Sequence, residues 1–217
     1  MLAFRSIDRT DRMSECEIAR RSASHDTAEQ ILDAAKRSLL AVGYAALSTR
    51  GIAEAAGVPL SQIHYHFGSK QRLVLALLEA ENERRLRRQT AMYDADQPLW
   101  KQWEQACDFL EDDLASGYVR VLQEMTATGW SDEHVAAVVR EDLRGWFRLL
   151  TDVTRRLAAE ADGLGPFEPS EAAALVGVAF LGAEAMILLG FGEDEMPNRA
   201  ALRKVSALIR AVEEGTR

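Results

Sequence analysis

The sequence predicts an all-α fold in two parts, a small three-helix domain followed by a larger helical one. Three observations predict it. Apolar residues recur at helical spacing in the segments between Gly and Pro breaks. Alternating β-branched runs, the mark of half-buried strands, are missing from the rear two-thirds. The stretch from Ser48 to Lys70, STRGIAEAAGVPLSQIHYHFGSK, reads as two short helices about a glycine turn, the parts of a helix-turn-helix.

Size and charge bound what such a chain can do. Its 217 residues, 47% of them hydrophobic, suffice for one large or two small domains with a buried core. Cys16 and Cys107 are its two cysteines, far apart and without a CxxC, which fits a reducing compartment and neither a disulfide framework nor a zinc site. The N-terminus lacks the apolar run and small-residue cleavage site of a signal peptide, so a cytoplasmic location is expected. Net charge is −8, unevenly spread. Residues 1–72 carry ten Lys and Arg against eight Asp and Glu; residues 73–217 carry 16 against 26. The front third alone suits a polyanion, and the rest repels one.

Taken in order, residues 1–24 are rich in Arg, Asp, Glu and Ser without an apolar period, and read as a disordered arm. A domain from 25 to 72 follows. Its first helix, Thr27 to Val42, shows Ile31, Leu32, Ala35, Leu39 and Leu40 on one side and stops at Gly43. Ser48 can cap the next helix, because its hydroxyl accepts from the free N–H groups of a helix start. Gly57 supplies the residue past its end, where a left-handed turn is unstrained. Pro59 precedes a helix from about Leu60 to His66, too short to stand alone in water. Ser69 caps a long helix from Lys70 to about Tyr93, whose Arg84, Arg85, Arg87 and Arg88 read as a solvated run.

The remaining domain, counted from residue 73 to 217, holds helices expected at Leu99–Ala115, Tyr118–Thr128, Asp132–Ala161, Ser170–Leu189 and Asn198–Glu214. The stretch SEAAALVGVAFLGAEAMILL is apolar nearly all round. Its length could cross a bilayer, but Glu184 and its many Ala and Gly argue against a membrane span. A helix of this kind is expected to be buried all round, one face by its own domain and the other by a second copy, the alternative being the core of a monomer. The expected face between copies holds Gly177, Phe180, Leu181, Gly182, Glu184 and Leu188, with Val205, Leu208 and Val212 from the last helix.

All four tryptophans fall in this rear domain. Trp100, Trp103 and Cys107 share one helix face at i, i+3, i+7. With Met125, Trp130, Trp146, Phe147 and Phe180 they are candidates for the wall of an apolar cavity, and the same pattern is that of an ordinary core. Glu124, Glu184, Arg148 and Asp152 are candidate polar anchors. No catalytic constellation appears: there is no nucleophile elbow, phosphate loop or HExxH. A metal is not expected, since His64 and His66 at i, i+2 point about 200° apart on a helix.

Residues 27–70 resemble the DNA-binding domain of the TetR family of bacterial transcriptional regulators. The matching text is the helix ending in GY, then STRGIAEAAGV, then IHYHFGSK. The resemblance implies a cytoplasmic homodimer on a palindromic double-stranded DNA operator, most often a repressor, released by a small apolar or amphipathic effector held among the rear helices, with no cofactor and no enzyme activity. The chain departs from the family pattern at His64, where Tyr is common, and at Ser61, where a Gly is common.

On that basis the residues divide by task. Gln62 is the first candidate base reader, since its amide can donate to and accept from one adenine edge. Ser61 can reach base or phosphate, and Leu60 a thymine methyl. Ser48 and Thr49 at a helix start suit a phosphate, as does Lys70 at the next. The resemblance gives Arg50 a guanine or a phosphate, and sets the rings of His64, Tyr65 and His66 near the end of the recognition helix, where they hydrogen-bond the backbone. The alternative is a helical small-molecule-binding protein or enzyme with a vestigial DNA-binding domain.

Overall fold

The computed structural model describes the backbone of residues 9–161 and 163–215, and side chains from residue 24 onward. Among the described residues there are nine helices and no strand: α1 (Arg9–Ala46), α2 (Thr49–Ala56), α3 (Leu60–Phe67), α4 (Lys70–Tyr93), α5 (Leu99–Ser116), α6 (Tyr118–Gly129), α7 (Glu133–Glu160), α8 (Pro169–Leu188) and α9 (Asn198–Glu213). They form two compact units, Met1–Leu77 and Leu78–Arg217.

In the first unit α1 turns Ile31, Ala34, Ala35 and Leu39 inward, each fully buried. Ile52, Ala53 and Ala56 of α2 and Ile63 of α3 complete this small core with Leu73, Val74 and Leu77 from the start of α4. The Gln30 amide donates to the Ala56 carbonyl at 2.7 Å, so α1 satisfies an end group that α2 cannot. α1 leaves helical geometry at Gly43, with φ 73° and ψ 168°. Its other end corrects the expected arm. Residues 9–24 continue the helix, because no Gly or Pro interrupts the chain between Arg9 and Val42 and an established helix propagates through such residues at little cost. Residues 1–8 lie outside the described ones.

In the second unit α5 lies along α9, and α7 lies along both α6 and α8. The expected helix bounds hold to within one or two residues. The Glu213 carboxylate accepts from the Leu99 and Trp100 N–H groups at 2.7 and 3.0 Å, so the end of α9 caps the start of α5. Asp132 caps α7 through the N–H groups of His134 and Val135. The core gathers around three rings: Phe180 meets Trp103 edge-on at 5.5 Å and Trp146 at 6.4 Å. Trp103 donates its indole N–H to the Leu202 carbonyl at 2.7 Å, which pins α9 to α5. Gly177 lies against the Phe147 ring so closely that a Cβ there would overlap it. That contact sets the rotation of α8, which its all-apolar sequence leaves open. Among the described residues α8 is the one helix long and apolar enough to cross a membrane, with 28% of that window buried inside the chain.

Candidate DNA-facing surface and effector cavity

The helix-turn-helix is built by local rules. Ser48 Oγ accepts from the Gly51 N–H at 3.1 Å and starts α2. Gly57 ends it at φ 67°, in the left-handed region, where its N–H reaches the carbonyls of Ala53 and Glu54. α3 then turns Ile63 into the core, and the helical period sends Ser61, His64 and Tyr65 outward. Tyr65 is the most prominent, 76% exposed, with its ring edge against His66 at 4.9 Å. Leu60, Gln62 and His66 are half-buried on the flanks. His64 Nδ1 lies 3.0 Å from the Gly68 carbonyl, a backbone contact at the end of α3. Thr49 is half-buried and Arg50 exposed at the start of α2.

Lys70 has a second task that sequence reasoning missed. Its ammonium donates to the Tyr44 carbonyl at 3.1 Å and sits 4.5 Å from the Tyr44 ring centroid. It therefore ties the start of α4 to the turn after Gly43.

The second unit encloses a cavity between α4, α5, α7 and α8. Trp146, Leu110, Leu150, Ala106 and Phe180 form its apolar walls, and Arg85, Gln89, Asp113 and Glu184 its polar side. The free space is about 10 Å³, close to the limit for one water-sized group. Arg85 Nε donates to Asp113 Oδ2 at 3.2 Å, and the guanidinium stacks 4.5 Å from the Trp146 centroid. Arg88 donates to Asp113 Oδ1 at 2.6 Å. Burial opposes the Arg85 cation, yet Tyr118, Glu184 and Asp113 outweigh it and hold its pKa above the ordinary value. Glu184 is 1% exposed, with one donor, Gln123 Nε2, at 3.5 Å. Its burial pushes the carboxyl up to about 7, against the pull of Arg85. Gln89 is 6% exposed, and its Oε1 is buried with no partner.

The expected cavity residues are dispersed, and Trp130 and Glu124 border a separate space with Leu188 and Leu189. Of the eight candidate cavity residues only Trp146 and Phe180 line the space. Trp103 and Cys107 stand behind them in the core, and burial pushes the Cys107 thiol up to about 11. Met125 is fully buried and away from this space. Phe147 faces Gly177, and Trp100 lies half-buried under the Arg210 guanidinium. Trp130 is 84% exposed, because it falls at the break after α6 rather than inside a helix. Of the polar anchors Glu184 alone reaches the cavity. Arg148 and Asp152 sit in surface ion pairs with Glu141 and Arg155, and Glu124 pairs with Arg120. Arg85, expected in solvent, is inside. It belongs to a stripe of Leu78, Asn82, Arg85, Gln89 and Met92 that repeats as a heptad along α4, and that spacing is the signal that would have found it.

The expected face between copies also divides. Gly177, Phe180 and Glu184 point into their own unit and cannot meet a partner, because Phe147 fixes the rotation of α8. The outward face of α8 carries Leu175 and Val178, 58% and 63% exposed, with Ala179, Gly182 and Leu188; Leu181 is half-buried at its edge. α9 adds Leu208 at 68% and Val212, with Val205 half-buried.

Together these features define a helix-turn-helix unit followed by an all-helical second unit. Residues 31–77 match the model of the bacterial regulatory proteins of the tetR family. No curated relative matches the chain. Among solved structures, the TetR transcription regulator from Haloarcula marismortui is similar at TM-score 0.70 and 19% identity, over 85% of this chain and 96% of that one. Regulatory protein TetR from Rhodobacter sphaeroides is similar at TM-score 0.70 and 18% identity, over 83% and 97%. The transcriptional regulator FadR from Bacillus subtilis in complex with stearoyl-CoA is similar at 0.68 and 14%, over 87% and 99%. The family match is confined to residues 31–77 of the first unit, and the chain as a whole shares the fold of these solved structures.

Proposed function

We propose that this chain is a dimeric transcriptional repressor that binds a palindromic DNA operator in the cytoplasm and is released by a small molecule held in its second unit. The observation that carries the reading is the outward face of α3, set on a core of Ile52 and Ile63 by two capped turns. In a major groove Ser61 and Tyr65 stand foremost and Gln62 beside them, while Arg50 and the α2 start grip the backbone. The exposed apolar faces of α8 and α9 support pairing with a second copy, which would place two such helices on successive grooves.

The same reading gives α4 the linking role. Its first residue lies beside the helix-turn-helix, and its later residues Arg85 and Gln89 border the cavity. A ligand acts on DNA affinity only through its difference in affinity between two conformations, so the narrow cavity belongs to one state and the ligand selects the other. A footprint on the DNA flanking the gene tests the reading. The expected result is protection of one inverted repeat, lost when an effector is added. Uniform, sequence-blind protection, or none, contradicts it.

A further inference from the structure

The polar side of the cavity has a chemistry that selects a ligand class. We propose that it receives the ammonium head of a primary amine with an apolar tail, seated between Gln89 Oε1 and the Glu184 carboxylate. The inference rests on the effector reading of the second unit.

Three observations point to a compact cation that donates hydrogen bonds. Gln89 is 94% buried by its 6% exposure, lines the cavity, and leaves Oε1 without a donor. Glu184 lines the same space, almost fully buried, with only the distant Gln123 amide. A buried acceptor without a donor is costly, so an occupant that donates to both is favoured over one that accepts. Charge points the same way. Arg85 is matched by Asp113, and Arg88 by Asp112 and Asp113, which leaves Glu184 as the charge in excess. A carboxylate ligand would add a second excess anion beside Glu184. An ammonium group neutralises it, is close to water in size, and fits the 10 Å³ of free space.

The apolar walls of Trp146, Phe180, Leu110 and Leu150 suit the carbon tail of such a ligand. The free space of about 10 Å³ holds the head alone, so seating the tail requires the apolar lining, Phe180 of α8 included, to move apart. Groups facing Glu184 are Arg85 from α4, Asp113 from α5, and Tyr118 and Gln123 from α6, while α7 presents Trp146. Burial holds Glu184 at about 7, so amine binding tightens from pH 6 to pH 8 as the carboxylate forms.

Octylamine, octanol and octanoate, titrated against the full-length protein with tryptophan emission as readout, test this. The amine is expected to bind at least tenfold more tightly than either analogue, and Glu184→Gln to erase that advantage while leaving octanol unchanged. Gln89→Met should weaken the amine alone by severalfold and guards against a misfolded Glu184→Gln. Preference for octanoate overturns the ammonium assignment. So does equal binding of all three, which would mark an unselective apolar site, or no binding of any, which would mark a seat for resident water. Octanoate or octanol that binds and releases operator DNA would remove the ammonium inference and keep the effector reading.

Discussion

Arg85 Nε donates to Asp113 Oδ2 across 3.2 Å, and both side chains are nearly closed to solvent. The pair joins α4 to α5, and a second arginine, Arg88, reaches the other oxygen of the same carboxylate. Removing one member of a buried pair typically costs about 3–5 kcal/mol, because the other charge is stranded. Arg88 remains to hold Asp113, so Arg85→Met should cost less, about 2–3 kcal/mol. The Arg85→Met, Asp113→Asn double variant should recover part of that loss. Urea unfolding at fixed protein concentration checks the cycle, and strictly additive losses would show that the two groups do not interact.

Glu184 makes stability depend on pH with a defined sign. Its carboxyl is raised from 4.5 to about 7 by burial, so the folded chain holds a proton that the unfolded chain has released between those values. Its contribution is therefore most favourable below about pH 4.5 and is lost as pH rises through 7, by at most about 3 kcal/mol. Glu184→Gln should stabilise the protein at pH 8 and leave it nearly unchanged at pH 5. Unfolding midpoints at the two pH values measure this, and an equal effect at both would contradict the assignment.

Two glycines of α8 should answer oppositely. A Cβ at Gly177 overlaps the Phe147 ring, so Gly177→Ala should destabilise by about 1–3 kcal/mol. Gly182 has nothing within 4 Å of a Cβ, so Gly182→Leu should fold normally. Placed on the outward face, that leucine should break the dimer. Thermal melts and sedimentation velocity read the two effects, and a Gly182→Leu protein that remains dimeric would remove this face from the interface.

Gripping and reading should separate on DNA. Gln62→Ala should relax base preference at one position in each half-site, by roughly 1–3 kcal/mol. Arg50→Ala should weaken all sequences alike and lower the salt slope by about one unit. Lys70→Ala should do the same and also lower the stability of the first unit, since its ammonium holds the Tyr44 carbonyl. Competition binding with single-base operator variants distinguishes these outcomes.

What was legible in the sequence follows from which interactions are local. Ser48, Gly57, Gly43 and Asp132 mark helix ends by their own chemistry, and the structure places ends there. The direction that a helix faces was legible where polar and apolar residues alternate with the helical period, as in α1. It was hidden in α8, which is apolar all round, so Phe147 on another helix decides that Phe180 and Glu184 turn inward. Arg85 was hidden for a related reason. Its partner Asp113 lies 28 residues away, and a run of four arginines gives no hint which two turn in. Trp130 is exposed because it sits at a helix break, where a large apolar side chain has no neighbouring turn to pack on.

A stoichiometric titration of the full-length protein onto the inverted repeat expected beside its gene, followed by fluorescence anisotropy at two salt concentrations, tests the proposed function most directly. A dimeric repressor predicts two chains per repeat, an affinity that falls steeply with salt, and a loss of tenfold or more for Gly182→Leu. One chain bound per repeat with wild-type affinity in that variant, or binding indifferent to salt and sequence, would contradict it.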